Sequence, residues 1–335
     1  MNELAIKSSA ALPVRADRSR AFFYLRLGFG ALLLAALFRM LNPESLVLTL
    51  ISVKPGLIAL GLIAMMVNLL VKTYRWGLIL RLRRPNISLA RLARLNFVSL
   101  FIGNFLPTSL SHDFVRIYYV ARGAGDARAA ISSIVADRVI GNLSVAVAAV
   151  SAFLALKLMG LLPIGPLLSF GVLAFLLASL ALPLVLVNGA VIGAVRSLLD
   201  RFAGRKLFSS VQDLSEHVLF YRKQGPLMGK ALAIAFLNLA IAVLEFYLIA
   251  RSLSVPASIQ YFFLFMPLVI LFSMLPVSVG GLGLLEAALV FFFTGVGVST
   301  EAAISMALLH RAMQLVCLLP GGALYLWKGG PSLAG

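Results

Sequence analysis

The sequence predicts an all-α, polytopic membrane helix bundle with an inverted internal repeat. Three observations predict it. Of the 335 residues, 61% are apolar and 12% charged, where a soluble domain carries about half and about a quarter. The apolar residues fall into runs of roughly 20, the length that crosses a hydrocarbon core. Short motifs also recur in order at offsets near 170 residues. This composition excludes a soluble enzyme and a disordered chain. The longest stretch between spans, 188–230, is too short for a separate catalytic domain.

Residues 1–20 read as a cytoplasmic tail carrying Lys7, Arg15, Arg18 and Arg20. The apolar run 21–40 is not a cleaved leader, because Arg26 interrupts it and no small-residue cleavage site follows. It is expected as a retained first span. Further spans are expected at 57–76, 139–159, 165–187, 231–250, 259–275, 284–298 and 303–326, giving seven or eight, or fewer with re-entrant hairpins. Tyr74, Trp76, Tyr325 and Trp327 fall at span ends, where interfacial aromatics belong. Residues 21–328 form one domain with repeat halves 57–160 and 231–328, and 329–335 is a tail.

Segment 88–120 spans a bilayer poorly. It opens with Arg91 and Arg94, stays apolar only from Asn96 to Leu106, then breaks at Pro107 and runs through Ser109, Ser111, His112 and Asp113. A re-entrant hairpin fits it better. With the N-terminus cytoplasmic, that reading puts 22 basic residues inside and 4 outside; Lys72, Arg75, Arg116 and the loop 188–230 are among the inner ones. A true span at 88–120 would move the basic loop outside, against the positive-inside rule. Both termini then lie in the cytoplasm, and the cytoplasmic (inner) membrane is the expected location. The net charge of +17 is thus topological, directed at anionic inner-leaflet lipid rather than nucleic acid. The loop 188–230 reads as amphipathic helices on that leaflet, or as a compact cytosolic hairpin. The single cysteine, Cys317, lies in an apolar run and reads as a small core residue.

Three motifs recur. Leu106-Pro107-Thr108-Ser109-Leu110 resembles Leu275-Pro276-Val277-Ser278-Val279 at an offset of 169. Ala130-Ile131-Ser132 with Arg138 resembles Ala303-Ile304-Ser305 with Arg311 at 173, and Asn68-Leu69 resembles Asn238-Leu239 at 170. The expected topology runs the matching spans in opposite directions. Paired breaks in an inverted repeat tend to mark a transporter's substrate site. Here they are 104–113 and 276–286, and 259–298 is a candidate second hairpin, entered from outside.

Charged groups at depth are costly and so are paired or functional. The candidates are Asn104, His112, Asp113 and Arg116 at the first break, then Asp137, Arg138, Glu245, Glu286, His310 and Arg311, with Asn68, Asn142, Asn238 and Gln314 as uncharged companions. After the first break, Ser109, His112 and Asp113 suit a helix N-terminus, which holds a phosphate or carboxylate; Asp113 itself is the alternative anion. Gly280, Gly281 and Gly283 at the second break allow tight turns and close ligand approach. Glu286 either pairs with Arg138 or Arg311 or binds a coupling proton or cation. Asp137 and Arg138 are adjacent, so each must reach a different partner. His310 is either a titrating group or a neutral hydrogen-bonded core residue. No His-Glu-x-x-His, nucleophile elbow or Walker loop is present. No catalytic residue, metal site or cofactor is therefore expected; His112 and Asp113 are the one acid/base alternative.

These residues resemble the lysylphosphatidylglycerol synthase transmembrane-region family of flippase-like proteins. Asn104-Phe105-Leu106-Pro107, with Asp113, Val115 and Arg116, is similar to its first motif. Asp137-Arg138 with Gly141 is similar to its acidic-Arg pair. Pro276 to Gly283 with Glu286 is similar to its second motif, Arg311 to its late arginine, and Tyr74-Arg75-Trp76 to its early Arg-Trp. Ser111 and His112 replace two usual glycines, Asp137 a usual Glu, and Val279 a frequent Pro. Larger relatives join this region to an aminoacyl transferase. The resemblance here implies lipid translocation without lysyl transfer. Relatives have been linked to phospholipid, polyprenyl-linked sugar and hopanoid pathways. The substrate-site expectation is Asn104, Pro107, Ser109, His112, Asp113, Arg116, Arg138, Ser278, Gly280, Gly281, Gly283 and Arg311. Asp137, Glu245, Glu286 and His310 are expected to position the arginines or carry coupling protons. The expected partners are a membrane lipid substrate and an enzyme of lipid or glycan synthesis. The alternatives are a membrane enzyme acting on a headgroup and a scaffold that recruits a synthase.

Overall fold

A computed structural model describes residues 51–105, 111–124, 127–160, 166–186, 224–275 and 283–328, with 28, 32, 44 and 221. The first span, most of the loop 188–230, and Pro107, Ser109, Ser278, Gly280 and Gly281 lie outside these residues. Among the described residues there are nine helices: α1 Pro55–Arg81, α2 Leu89–Asn104, α3 Ser111–Ala124, α4 Ala127–Leu158, α5 Pro166–Leu186, α6 Gly225–Ser252, α7 Ile259–Ser273, α8 Leu284–Thr294 and α9 Thr300–Lys328. Among the described residues, four stretches are long and apolar enough to cross a membrane: Pro55–Arg81, Ala127–Leu158, Gly225–Ser252 and Thr300–Trp327.

Local sequence explains the boundaries. Proline in the first turn starts α1 and α6, where its missing N–H costs nothing. The Ser88 hydroxyl accepts from the Arg91 N–H at 3.2 Å and caps α2. Asp113 and Glu286 sit in the first turns of α3 and α8, complementing the helix dipoles. Gly283 precedes α8 at φ +80, a conformation a side chain disfavours.

The span expected at 139–159 begins twelve residues earlier, at Ala127, so Asp137 and Arg138 are interior to a helix. The segments expected as spans at 259–275 and 284–298 are helices of only 15 and 11 residues. At 1.5 Å per residue they reach about 22 and 16 Å, short of a hydrocarbon core of about 30 Å. α2 and α3, at 16 and 14 residues, are short in the same way.

Two sets of four helices correspond. α6, α7, α8 and α9 begin 170, 170, 173 and 173 residues after α1, α2, α3 and α4. α1 and α6 pack antiparallel. The Lys54 N–H donates to the Ser252 carbonyl at 3.0 Å, joining the start of one to the end of the other. Midway, Asn238 Nδ2 donates to Asn68 Oδ1 at 2.8 Å. At the far end Ile79 packs with Ala231 and Ala235.

The main core is aromatic where α7 meets α8: Phe262, Phe265, Phe292 and Phe293 lie ring against ring. A smaller core surrounds Trp76, whose indole N–H donates to Ser133 Oγ at 3.2 Å. α9 crosses α2 closely at Gly321 and Gly322, over Phe97 and Phe101. On α1, Leu60, Ile63, Val67 and Leu70 form an exposed apolar stripe at helical spacing. That face suits lipid, and the opposite face carries Asn68, Lys72 and Arg75 among apolar residues.

Candidate functional site

A cavity of about 670 Å³ lies between the two sets of helices. It is lined by Asn104, His112, Asp113 and Arg116 near the first break, Asp137 and Arg138 from α4, Glu245 from α6, and His310 and Arg311 from α9. Glu286 is 2% exposed and reaches the cavity through its partner Arg311.

The adjacent pair on α4 divides between two partners. Asp137 Oδ1 accepts from Arg75 Nε at 2.7 Å, tying α4 to α1. Arg138 Nε donates to Asp113 Oδ2, tying α4 to α3. Asp113 Oδ1 also accepts from Arg116 at 3.3 Å, and His112 Nε2 stands 3.2 Å from that same oxygen. Asp113 is thus the anion at its own helix start. Arg116 lies flat on the Trp76 ring, 3.9 Å from its centroid, a cation–π contact that helps hold a buried guanidinium.

The second set repeats this wiring. Arg311 Nε donates to Glu286 Oε1 at 2.6 Å, with Nη2 on Oε2 at 3.3 Å. Both arginine–carboxylate pairs are separated by 25 residues in sequence. Glu245, which matches Arg75, accepts or shares a proton with His310 Nδ1 at 2.6 Å. His310, which matches Asp137, stacks on Phe246 at 4.4 Å and meets Gln314 at 3.0 Å. The α1–α4 pair and the α6–α9 pair therefore occupy matching places with acid and base exchanged.

Burial gives both arginine–carboxylate pairs one orientation. The Asp113 and Glu286 side chains are 7% and 2% exposed, those of Arg138 and Arg311 39% and 24%. The carboxylate is covered and the guanidinium faces the opening. Arg138 uses only Nε and makes no other hydrogen bond among the described residues. An arginine presents a planar fork of donors that fits phosphate or carboxylate in a bidentate manner. Among the described residues, no group of three or more His, Cys, Asp or Glu side chains is placed to hold a metal.

The charge count set Lys72 and Arg75 at the inner end of the expected span 57–76, and neither was named as a site residue. They line the cavity from the inward face of α1, with Asn68, at helical spacing of four and three residues. That spacing inside an apolar run was the signal available. Asn96, which donates to Thr73 Oγ1 at 2.8 Å, was also missed.

None of the curated proteins matches the chain. A family model does, over residues 23–321, a range that takes in every pair above and both short-helix segments. The chain belongs to the lysylphosphatidylglycerol synthase TM region family.

Proposed function

We propose that this protein moves a lipid with a phosphate-bearing or similarly polar headgroup between the leaflets of the cytoplasmic membrane. The observation that carries this reading is the shared orientation of Arg138–Asp113 and Arg311–Glu286, two guanidiniums open to one cavity with their carboxylates covered behind them. The cavity volume is in the range of small-ligand sites. It suits a headgroup, with the acyl chains left in surrounding lipid.

The two helix sets are read as inverted copies, and the short helices α2–α3 and α7–α8 as re-entrant hairpins whose breaks meet the headgroup. Antiparallel packing of α1 on α6 and the matching helix offsets support that reading. Rocking of such halves about a midplane site is a recurring route to alternating access. Glu245 and His310 form the pair suited to carry a coupling proton, since each has a neutral form that still hydrogen-bonds. Both termini are assigned to the cytoplasm from the charge count. A headgroup enzyme using His112 and Asp113 has weaker support, because Asp113 already holds two arginines.

The test is leaflet exchange of fluorescent lipids in proteoliposomes, for wild type, Arg138→Ala and Arg311→Ala. The panel contains anionic, aminoacylated and polyprenyl-phosphate lipids. Each arginine change is expected to slow exchange about 10- to 100-fold, the effect of losing one charged hydrogen bond; Arg138→Ala should retain its melting because Asp113 keeps Arg116, and Arg311→Ala, which strands the buried Glu286, should melt lower. Normal exchange by both variants would overturn the assignment. Product formation in detergent without exchange would favour the enzyme.

A further inference from the structure

We propose that Lys72 sets the cavity's preference for an anionic headgroup. The inference rests on the transport reading for its lipid, and on Lys72's own surroundings for its charge. Lys72 lines the cavity from α1, on the face opposite the exposed stripe of Leu60, Ile63, Val67 and Leu70. Its helical neighbours Asn68 and Arg75 are buried, while Lys72 is exposed; on that face its exposure is toward the cavity.

Charge arithmetic singles it out. The cavity cations Arg75, Arg116, Arg138 and Arg311 each engage Asp113, Asp137 or Glu286. Glu245 engages His310. Lys72 has no ion pair and no hydrogen bond among the described residues. With His310 neutral, the five cations and four carboxylates of this network leave one positive charge, and Lys72 is the cation with no carboxylate in ion-pair contact, Glu245 and Asp137 acting on it only at longer range. A cation held within a bilayer without a counter-ion is costly, and a bound anion removes that cost.

The charge is also placed to one side. The position matching Lys72 in the second set is Ala242, which lines the same cavity. The first set therefore lines the cavity with Lys72, Arg116 and Arg138, where the second brings Arg311 and Glu245. A headgroup phosphate would lie against the first set. A headgroup with an added ammonium, as in an aminoacylated lipid, gains nothing from Lys72.

Direct lipid binding tests this. Detergent-purified wild type, Lys72→Gln and Lys72→Arg would be titrated with phosphatidylglycerol, with phosphatidylcholine and with inorganic phosphate, reading bound lipid by native mass spectrometry. Lys72→Gln is expected to lose about tenfold in phosphatidylglycerol affinity. Phosphatidylcholine affinity should be unchanged, and Lys72→Arg should retain the preference. Equal affinity of Lys72→Gln and wild type for phosphatidylglycerol would overturn the proposal. So would Lys72-dependent binding of inorganic phosphate with no binding of either lipid, which would assign the charge to a free anion. Binding in detergent requires no leaflets. A protein that binds phosphatidylglycerol through Lys72 yet exchanges nothing in vesicles would keep this inference and refute transport. Exchange that needs Arg138 while ignoring Lys72 would do the reverse.

Discussion

Asp137→Ala is expected to cost about 3–5 kcal/mol of stability, the cost of breaking a buried ion pair from one side. Its carboxylate is the partner of Arg75 Nε at 2.7 Å, and the two side chains are 9% and 8% exposed. Arg75 also reaches the Asp137 carbonyl at 3.5 Å. Gly141 makes room beside it: a Cβ there would stand 3.2 Å from an Arg75 terminal nitrogen. The guanidinium is therefore fixed between α1 and α4 and loses its one carboxylate partner in the substitution. Replacing both members by Arg75→Met and Asp137→Leu should recover most of the loss, since an apolar pair of similar volume carries no desolvation cost. The matching pair should respond differently. Glu245→Gln keeps an acceptor for His310 Nδ1 and strands no charge when His310 is neutral. Its cost should stay near that of one neutral hydrogen bond, about 1 kcal/mol. Thermal unfolding in detergent measures all three. An Asp137→Ala protein that melts with wild type would show that the pair does not hold α1 to α4.

The second large effect is expected at the α2–α9 crossing. An alanine Cβ at Gly321 would lie 2.1 Å from the Phe97 carbonyl oxygen and 2.7 Å from its carbon. Those atoms belong to the backbone of α2, so no rotamer change relieves the clash, and the two helices must separate. Overpacking commonly costs about 1–3 kcal/mol, and a backbone neighbour puts Gly321→Ala at or above the top of that range. Gly61→Ala is the contrast. Its Cβ would meet the Met313 methyl at 3.0 Å, the far end of a flexible thioether. There the gain of about 0.5–1 kcal/mol from replacing a mid-helix glycine should roughly cancel the cost. Melting temperatures of the two variants decide it. A fall for Gly61→Ala larger than for Gly321→Ala would refute the packing argument.

Much of this architecture is legible from hydropathy, because lipid tolerates only helices whose backbone is internally bonded. The broken segments were visible in Pro107 and Pro276 and in the polar residues after each. That Asp137 and Arg138 must part company followed from helix geometry; for Glu286, pairing with Arg138 or Arg311 stood beside a coupling proton or cation, and Arg311 is its partner. Partner identity was harder. Glu245 and His310 are 65 residues apart, and spacing alone says nothing about which helices meet. The expected span 57–76 already held Lys72 and Arg75, yet neither was read as a site residue, and the span stopped short of Arg81, where α1 ends. A charge that is paired, or that faces a cavity, does not end a helix.

Asn68 and Asn238 hold matching positions on α1 and α6 and bond to each other. A side chain that must pair with its own counterpart needs a donor and an acceptor in one group. An amide has both; a carboxylate opposite a carboxylate, or an ammonium opposite an ammonium, repels. The side-chain pairs Arg75–Asp137, Arg138–Asp113, Glu245–His310 and Arg311–Glu286 each close within one set of helices, so each set can vary those charges alone. The amide pair is where a change in one half must be answered by the other. It acts as the shared hinge pin of two otherwise independent inheritances.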